Sequence, residues 1–439
     1  MKTIKQKKPV LLAIMLVMIM ALSCGGGAPT TQLSDPGNND DNNNGGQAST
    51  DDCAMEFRDL DSDNFSIVPP QRIRETVDGH YLITAAETQE IAGKSGFTKS
   101  VNATGYVYRV AYDSKSYERL AFPGVIPQDF QVLNDGGFFV CGSQIGSGTV
   151  NGYAMMCQAD GTVVHEVTRH DLSSLSLSVS TPDGYLVAGI ADDLLLKLAF
   201  LKPEMTIDWE SELGTNIDPD APAGSTIAIT KVTDLILNPD GSFTVFVKLL
   251  RHDSNQDTHG MGLVKLSSSG SLQWSRCWWD PDSRNEPWYS PESVIGLDDG
   301  GFIISFWNND AGRHYMYVNR LDNEGDINWS WENMSEESTP AGLAVRSDGV
   351  ILNLIADYSQ GERFCSISFI GSDGNFIDNK TFGVTSTLPA PDFPTDLIVT
   401  TDGHIVVTGY HNYYDDNNKY KKGIFIIKLD TNGNCSDSN

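Results

Sequence analysis

Seven Asp-Gly dipeptides recur along the chain, and each lies between two short apolar segments. They are Asp78-Gly79, Asp135-Gly136, Asp183-Gly184, Asp240-Gly241, Asp299-Gly300, Asp348-Gly349 and Asp402-Gly403. Subtracting successive Asp numbers gives spacings of 57, 48, 57, 59, 49 and 54 residues. Spacing of this regularity is typical of a repeat architecture, in which every repeat contributes one structural unit.

Each repeat carries the pattern of four antiparallel strands. A second tight turn follows the third apolar segment, as at Ser269-Gly270, and such dipeptides accept the positive φ that a two-residue hairpin requires. The fourth segment alternates apolar residues, such as Ile327 and Trp329, on one face of a strand. Ile207 and Trp209 keep this register in the third unit, although its turn lacks the glycine. With no helical period in the repeats, the sequence predicts an all-β, seven-bladed β-propeller of four-stranded antiparallel blades.

The repeats resemble those of exported bacterial lipoproteins that fold as β-propellers. The shared pattern is Thr-x-Asp-Gly-Gly-aromatic-Ile/Val … Lys-Leu-Asp-x-x-Gly-x-Ile-x-Trp, and its best copies are residues 400–407 with 427–433 and residues 297–304 with 320–329. The resemblance covers nearly all of the repeat region and implies the propeller fold. It implies little about function, because this architecture carries scaffolds, lectins, hydrolases and quinoproteins alike.

The first 23 residues have the features of an export signal. Four lysines lie within residues 1–8, and an almost wholly apolar segment over residues 9–22 leads into Ala21-Leu22-Ser23-Cys24. This tetrapeptide resembles the bacterial lipobox, which implies a lipoprotein signal peptide over residues 1–23 and a Cys24 thiol that carries diacylglycerol, with palmitate-type acyl chains. The alternative is a cleaved secretory signal followed by an unmodified cysteine. Gly25 after the cysteine, by resemblance to enteric sorting rules, favours a lipid anchor in the outer membrane of the cell envelope.

Residues 24–52 form the linker between the predicted lipidated cysteine and the propeller at residues 53–439. The linker is rich in Gly, Asn, Asp and Pro and contains one large aliphatic residue, Leu33. Because it cannot bury enough apolar surface to fold, we expect a disordered tether. Its length predicts a reach of roughly 30 Å, which would hold the propeller near the membrane.

The two ends of the repeat region predict how the ring closes. The seventh unit stops near Cys435, where its fourth strand should begin, and an unassigned strand-like segment begins at Cys53. We expect the N-terminal segment to supply the missing strand and a disulfide between Cys53 and Cys435 to lock the seam. Cys141 and Cys157 fall on neighbouring strands of the second unit, where a disulfide and two buried free thiols are equally consistent with the sequence.

One face of the predicted propeller carries the long connections, and the other carries the short Asp-Gly and Asn-Gly turns. The long connections are expected at residues 87–101, 144–151, 216–225, 252–259, 280–293, 308–313 and 410–421. Long loops on a rigid ring are the usual place of recognition, and two of these combine aromatic rings with charged residues, which suits a sugar or a peptide. The candidate ligand-binding residues are Trp288, Tyr289, Asp310, Arg313, Tyr410, His411, Tyr413 and Tyr414. Trp278 and Trp279 are instead expected to continue a core strand.

No catalytic constellation and no dedicated metal site is recognisable in the sequence. The chain contains no Gly-x-Ser-x-Gly elbow and no His-Glu-x-x-His motif. An incidental structural calcium ion near residues 59–64 or at Asp280 and Asp282 is the one cofactor considered, and an EF-hand is excluded because Pro70 occupies its twelfth position. The alternative function is a propeller enzyme, a glycan-active hydrolase or lyase or a quinoprotein-like protein, with two carboxylates or a His-carboxylate pair at the mouth of the central channel.

The charge balance limits the partners of the folded region. The chain has 30 Lys and Arg residues against 58 Asp and Glu residues, a formal net charge of −28. Long-range repulsion makes nucleic acid and anionic lipid headgroups poor partners. The sequence therefore predicts a monomer that is attached to a membrane by its lipid anchor and binds a glycan or an envelope protein through its long-loop face.

Overall fold

The seven repeats form seven antiparallel sheets around one axis. In the computed structural model, the first strands of neighbouring sheets contact one another in a closed ring, and the fourth strands lie outermost. The predicted all-β, seven-bladed propeller is therefore confirmed. The structure describes residues 54–57, 66–68, 71–92, 99–112, 116–146, 149–191, 193–253, 257–279, 289–310, 313–334, 338–357, 364–382, 392–414 and 420–435.

The strands are numbered in chain order. They are β1 (Ala54–Phe57), β2 (Ser66–Val68), β3 (Ile73–Glu75), β4 (Tyr81–Ala92), β5 (Lys99–Val110), β6 (Tyr117–Pro123), β7 (Val125–Val132), β8 (Phe138–Ile145), β9 (Val150–Cys157), β10 (Val163–Arg169), β11 (Leu175–Thr181), β12 (Gly184–Ile190), β13 (Leu196–Leu201), β14 (Ile207–Leu213), β15 (Thr226–Leu237), β16 (Phe243–His252), β17 (Asp257–Leu266), β18 (Leu272–Trp279), β19 (Tyr289–Gly296), β20 (Phe302–Asp310), β21 (Arg313–Leu321), β22 (Ile327–Met334), β23 (Ser338–Val345), β24 (Ile351–Asp357), β25 (Phe364–Ile370), β26 (Phe376–Phe382), β27 (Asp392–Val399), β28 (Ile405–Tyr414) and β29 (Tyr420–Leu429).

The strands divide into blades in chain order, with one exception at the ends. Blades 2 to 6 each contain four consecutive strands between β7 and β26. Blade 1 contains β2 to β6, because β2 and β3 both pair with β4 and together replace a single first strand. Within the described residues, the one helical segment is a 3-10 turn at Thr215–Ile217. No helix in this part of the chain is long and apolar enough to span a membrane.

Tight turns with a left-handed residue join the strands on the short-turn face. Gly79 has φ 80°, and its N–H donates to the Thr76 carbonyl at 2.9 Å. In blade 3 the second turn lacks glycine, and Met205 takes the left-handed conformation with φ 64°. The Met205 side chain is buried in the core between blades 2 and 3, and this packing offsets the backbone strain.

The tryptophan that ends the repeat pattern packs onto the next blade. A Cβ atom added at Gly270 would lie 2.3 Å from the Trp209 ring, and one added at Gly374 would lie 2.8 Å from the Trp329 ring. The Trp329 indole N–H also donates to the Ser372 carbonyl at 3.1 Å. The tryptophan of one blade therefore packs against the turn glycine of the next blade.

The lysine or arginine near the end of the third strand binds the aspartate of the Asp-Gly turn in several blades. Lys265 Nζ lies 3.0 Å from Asp240 Oδ2, and Arg320 pairs in the same way with Asp299. The Ser242 hydroxyl, together with Lys265, lowers the pKa of Asp240 to about 2. The repeated Asp-Gly and Lys-Leu elements are therefore linked by an ion pair within the blade.

The N-terminal strand completes the seventh blade, as the sequence predicts. Strand β1 is antiparallel to β29 from Ala54 opposite Ile427 to Phe57 opposite Ile424, which gives the order β1-β29-β28-β27. Cys435 forms an isolated bridge with Leu429 beside this pairing. Cys53 lies outside the described residues, so its disulfide with Cys435 stays a prediction.

The two cysteines of blade 2 are buried free thiols. Cys141 lies opposite Ala154 and Cys157 lies opposite Phe138, so Cys141 and Cys157 are on opposite faces of the sheet. Cys141 packs toward blade 3 and Cys157 toward blade 1. A disulfide between them is excluded because the side chains of a strand alternate between faces.

Several connections expected as long loops are instead the ends of extended hairpins. Strand β4 continues to Ala92, and β5 begins at Lys99. Strand β20 ends at Asp310, β21 begins at Arg313, and β28 continues to Tyr414. The loop predictions at 87–101, 308–313 and 410–421 were therefore largely wrong. Strand pairing satisfies the backbone groups that a loop would leave to water, and threonine and tyrosine favour it.

Candidate functional site

One position of the repeat, called the axial position, lies on the innermost strand of blades 2 to 7 and directly before β3 in blade 1. It lies six residues before the Asp of each Asp-Gly turn, and its occupants are Arg72, Asp129, Leu177, Asp234, Ser293, Gly342 and Asp396. In blades 2, 4 and 7 a β-bulge immediately precedes the aspartate, for example between Pro394 and Asp396. A bulge redirects the side chain that follows it, which brings these aspartates to the inner edge of the ring.

The three aspartates each hold the next blade. A carboxylate oxygen of Asp129 accepts the backbone N–H of Ser178 at 2.7 Å, and an oxygen of Asp234 accepts that of Val294 at 3.0 Å. Asp396 accepts the N–H of Ile73 at 3.0 Å, across the junction of blades 7 and 1. These contacts join blade 2 to blade 3, blade 4 to blade 5 and blade 7 to blade 1.

Two arginines of blade 1 bring the aspartates together at the axis. Arg72 Nη2 donates to Asp234 Oδ1 at 2.7 Å, and its Nη1 lies 4.0 Å from Asp396 Oδ1. Arg74 Nη1 donates to Asp396 Oδ2 at 3.3 Å, and Arg74 Nη2 lies 3.9 Å from Asp129 Oδ1. We call these five residues the axial cluster. Because Arg72 reaches blade 4 from blade 1, its side chain crosses the ring.

The axial cluster sets three carboxylates against two guanidinium groups. Burial opposes the charge of Arg72, but Asp234 and Asp396 outweigh it and raise the pKa of the guanidinium. Burial raises the pKa of the Asp396 carboxyl despite the two arginines. Asp129 Oδ1 is buried without a hydrogen-bond partner. Most polar atoms of the cluster are therefore committed to contacts between blades.

A second group of polar residues lies on the long-loop side of the axial cluster. Lys231 precedes Asp234 by three residues in β15 and lies directly opposite Lys248 in β16. Lys231 Nζ is 3.9 Å from Glu292 Oε2. Glu292 Oε1 accepts the Trp307 indole N–H at 3.2 Å. This group joins blades 4 and 5 beside the axis.

An aromatic pair occupies the equivalent position of blade 7. Phe393 and Tyr410 lie opposite each other in β27 and β28, and their rings stack with centroids 4.6 Å apart and planes inclined by 7°. Lys422 Nζ lies 5.3 Å from the centroid of the Tyr410 ring. Burial lowers the pKa of Lys422. An aromatic ring beside a cation suits contact with a polar ligand that carries apolar faces.

The predicted site residues fall on two blades. Tyr289, Asp310 and Arg313 are strand residues of blade 5, where the backbones of Asp310 and Arg313 pair across the β20–β21 hairpin. Tyr410, His411, Tyr413 and Tyr414 follow one another along β28 in blade 7, and the His411 side chain is 1% exposed. Trp288 and the regions expected to hold calcium, residues 59–64 with Asp280 and Asp282, lie outside the described residues. Blade 6 lies between the two groups in the order of the blades.

The axial cluster and the lysines of blade 4 were not found by reasoning from the sequence. Their signal was present, because aligning the seven Asp-Gly turns places Asp129, Asp234 and Asp396 in one column. The period-two alternation of strand residues does not predict the face on which these aspartates lie, because the bulge before each aspartate changes the face that its side chain occupies.

An acidic triad lies in the turn between β21 and β22, on the short-turn face. The carboxylates of Asp322, Glu324 and Asp326 lie within 4.8 Å of one another. Asp322 Oδ1 accepts two backbone N–H groups of its own turn at 2.9 Å, and Asp430 accepts the two equivalent groups of blade 7 at 2.8 Å, where the turn carries asparagines. The triad has the donor atoms for a divalent cation, but turn geometry alone accounts for its arrangement.

Comparisons with known proteins find distant structural neighbours and no family. No protein-family model and no curated protein matches the chain. Among solved structures, the chain is similar to the WD40 domain of coronin from Toxoplasma gondii, with 11% identity, a TM-score of 0.44, and coverage of 87% of this chain and 86% of that chain. It is also similar to the β-propeller domain of the Trilobed protease from Pyrococcus furiosus, with 9% identity, a TM-score of 0.33, and coverage of 75% and 96%. Prolyl oligopeptidase B from Galerina marginata is similar with 12% identity, a TM-score of 0.41, and coverage of 88% of this chain and 52% of that chain.

Proposed function

We propose that the protein is a lipid-anchored binding protein of the cell envelope that recognises a glycan or an envelope protein through its long-loop face. The anchor at Cys24 and a location at the outer membrane rest on the N-terminal sequence. The binding role rests on the arrangement of the propeller. The fold alone is compatible with enzymes and with scaffolds, so the function depends on the particular residues of this chain.

The observation that carries this proposal is the axial cluster. A catalytic channel needs carboxylates that are free to exchange protons or to contact a substrate. Here Asp129, Asp234 and Asp396 are engaged by backbone N–H groups or arginines, and the Arg72 side chain crosses the axis. The polar groups at the centre therefore have a structural task, and recognition is left to the faces.

The long-loop face is the better suited of the two faces. The short-turn face repeats one tight turn from blade to blade, whereas the other end differs among blades in length and composition. The 12-residue strands β4 and β5 extend blade 1 there, and the 10-residue strands β28 and β29 carry Tyr410, Tyr413 and Tyr414 in blade 7. Variation on a rigid scaffold is typical of a recognition surface.

Binding of the purified protein to an array of glycans and cell-wall polymers tests this proposal. We expect saturable binding that Tyr413→Ala or Trp288→Ala weakens by at least tenfold, the effect of losing about 1.4 kcal/mol of contact. Tyr117→Ala is the matched control, because Tyr117 is an exposed tyrosine at the start of β6, an outer strand. Silence across the array would rule out a glycan, and crosslinking in whole envelopes would then test for a protein partner.

The alternative is a propeller enzyme with its site at the channel. Three carboxylates do converge there, Asp129 keeps one oxygen without a hydrogen-bond partner, and the pKa of Asp396 is raised by burial. Such features also occur at catalytic centres. Hydrolysis or elimination of any glycan that binds, abolished by Asp129→Asn in a protein that still binds it, would favour the enzyme over the binding protein.

A further inference from the structure

Lys231 and Lys248, which we call the lysine pair, lie opposite each other at a position where blades 2, 5, 6 and 7 have other pairs. The cross-strand pairs at this level are Ile126 with Ser143, Ser290 with Trp307, Thr339 with Ala356 and Phe393 with Tyr410. None of these four pairs contains a charged residue. Blade 4 therefore departs from the repeat at one position, next to the axis.

The lysine pair is unfavourable for folding. Like charges directly opposite each other in a sheet destabilise it. The Lys248 side chain is largely buried, and this burial, followed by repulsion from Lys231, lowers the pKa of Lys248. The chain has 58 acidic residues against 30 basic ones, yet two basic residues face each other here. An arrangement that costs stability indicates a role other than folding.

The neighbours of the lysine pair leave a positive charge uncompensated. Among the described residues, the ion pair at this site is that of Lys231 with Glu292, at 3.9 Å. The other oxygen of Glu292 is occupied by the Trp307 indole N–H and the Ser290 hydroxyl, at 3.2 and 3.1 Å. One carboxylate thus faces two ammonium groups. The Lys231 side chain is 51% exposed, so solvent and ligands have access to the site.

We propose that the lysine pair is a subsite for the carboxylate of an acidic sugar, with Trp307 beside it. This inference rests on the proposed function and names its ligand class. A carboxylate between Lys231 and Lys248 would remove their repulsion and form charge-assisted hydrogen bonds. Trp307 is linked to Lys231 through Glu292, and an aromatic ring near the cations suits the apolar face of a sugar ring. In a protein with a net charge of −28, a local positive site also discriminates in favour of anions where the rest of the surface repels them.

Calorimetric titration of the purified full chain with trigalacturonate, and with its methyl ester as the uncharged control, tests the proposal. We expect the ester to bind at least tenfold more weakly than the free acid. Lys248→Met, which keeps the buried stem and removes the charge, should weaken binding of the acid to the same extent and leave the ester unchanged. Lys197→Gln is the matched control, because Lys197 lies in β13 and pairs with Asp171 and Glu212 away from the axis.

A second measurement needs no ligand. Lys231→Gln removes the like-charge contact, so the Tm of the variant should rise if the pair is kept for binding, and a lower Tm would show that the pair is structural and overturn the proposal. Equal binding of acid and ester, or no effect of Lys248→Met, overturns the subsite but leaves glycan recognition intact. Failure of both saccharides to bind also overturns the subsite, and the glycan array then decides the proposed function separately.

Discussion

The junction between blades 7 and 1 and the sector around blade 6 are held in different ways. At the junction, the Asp396 carboxylate binds the N–H of Ile73, and the Thr401 N–H donates to Glu75 at 2.8 Å. Tyr112 donates to Asp402 across the same boundary, and Lys428 Nζ lies 3.2 Å from the centroid of the Tyr112 ring. Strand β1 adds a ladder to β29. The junction therefore has contacts from the axis to the outer edge.

Among the residues that the structure describes, the boundaries of blade 6 show fewer contacts of this kind. Ser293 and Gly342 occupy the axial position in blades 5 and 6, so at this position neither boundary of blade 6 has a carboxylate that could bind the next blade. Asn353 is fully buried in β24, and both its amide atoms lack hydrogen-bond partners. The outer strand β26 leaves Phe376 and Ile377 more than half exposed.

This difference follows from how the ring is closed. Blades 7 and 1 contain the two ends of the repeat region, and the ring closes here because β1 pairs within blade 7 before the chain enters blade 1. Blade 6 does keep two contacts near the short-turn face, from Trp329 to the Ser372 carbonyl at 3.1 Å and from Arg346 to the Thr431 carbonyl at 2.7 Å. We therefore expect local opening to begin at blade 6 and to leave the junction intact.

The largest expected effect is the loss of the axial carboxylate at the junction. Asp396→Asn keeps the shape but removes the charge that offsets Arg72 and Arg74, and breaking a buried ion pair costs about 3 to 5 kcal/mol. The measurement is the free energy of unfolding in denaturant. Asp373→Asn, in an exposed turn of blade 6, should change it by less than about 0.5 kcal/mol. A loss below about 1 kcal/mol for Asp396→Asn would contradict a stabilising role for the cluster.

The next effect concerns the predicted disulfide of the junction. If Cys53 and Cys435 are joined, Cys435→Ser should lower the free energy of unfolding by about 2 to 5 kcal/mol, because the bridge restricts the unfolded chain. Peptide mass spectrometry without reductant should find the two cysteines linked. Cys365→Ser serves as a control for thiol loss, since Cys365 is a buried residue of blade 6 and lies far along the chain from the junction. A free Cys435 thiol in the oxidised protein would disprove the bridge.

A substitution in blade 6 should raise the free energy of unfolding, whereas the two substitutions at the junction lower it. The residue five places after the turn aspartate is Ile83, Val140, Val245, Ile304 and Val407 in other blades, and Asn353 in blade 6. Asn353→Val should raise the free energy of unfolding by about 1 to 3 kcal/mol, because it removes a buried amide without partners.

Hydrogen exchange provides the second readout for this variant. Amides of β23 to β26 should exchange before those of β27 to β29 in the wild type, and the difference should narrow in Asn353→Val. The control is Asn319→Val, which should destabilise because the Asn319 side-chain oxygen Oδ1 accepts the Ser330 hydroxyl at 2.6 Å. Protection of blade 6 equal to that of blade 7 in the wild type would show that the two blades open with similar free energies.

The smallest effect is the acid dependence of the short-turn face. The Thr76 hydroxyl, with Arg109, lowers the pKa of Asp78 to about 2, and that of Asp240 is lowered to a similar value. A folded pKa below the ordinary value of 3.8 means that these carboxylates stabilise the fold above pH 4. This stabilisation is lost as the pH falls toward 2. Both groups are half exposed, so solvent screens the contribution. Asp240→Asn should flatten the decline of Tm between pH 4 and 2. An unchanged slope would show that the Asp240 carboxylate does not contribute to the acid dependence of stability.

The sequence predicts different parts of this molecule with different success. Strand turns are local, so Asp-Gly and Asn-Gly pairs are recognisable from neighbouring residues, and the missing strand of blade 7 followed from counting segments. The binding residues were sought among aromatic residues of long loops, and several of these, such as Tyr410 and His411, proved to be strand residues packed against neighbours. Composition alone does not distinguish a loop from the end of an extended hairpin.

The repeat, its turns and the all-β propeller were determined by the sequence alone, because glycine conformation and period-two alternation act over a few residues. Only the tertiary structure decided that Arg72 meets Asp234, 162 positions away, and that Asp129, Asp234 and Asp396 converge at the axis. Closing the ring creates these neighbours, and a bulge before each aspartate turns its side chain inward. The lysine pair likewise becomes visible through the β15–β16 register, because repulsion depends on which residues lie opposite each other across the sheet.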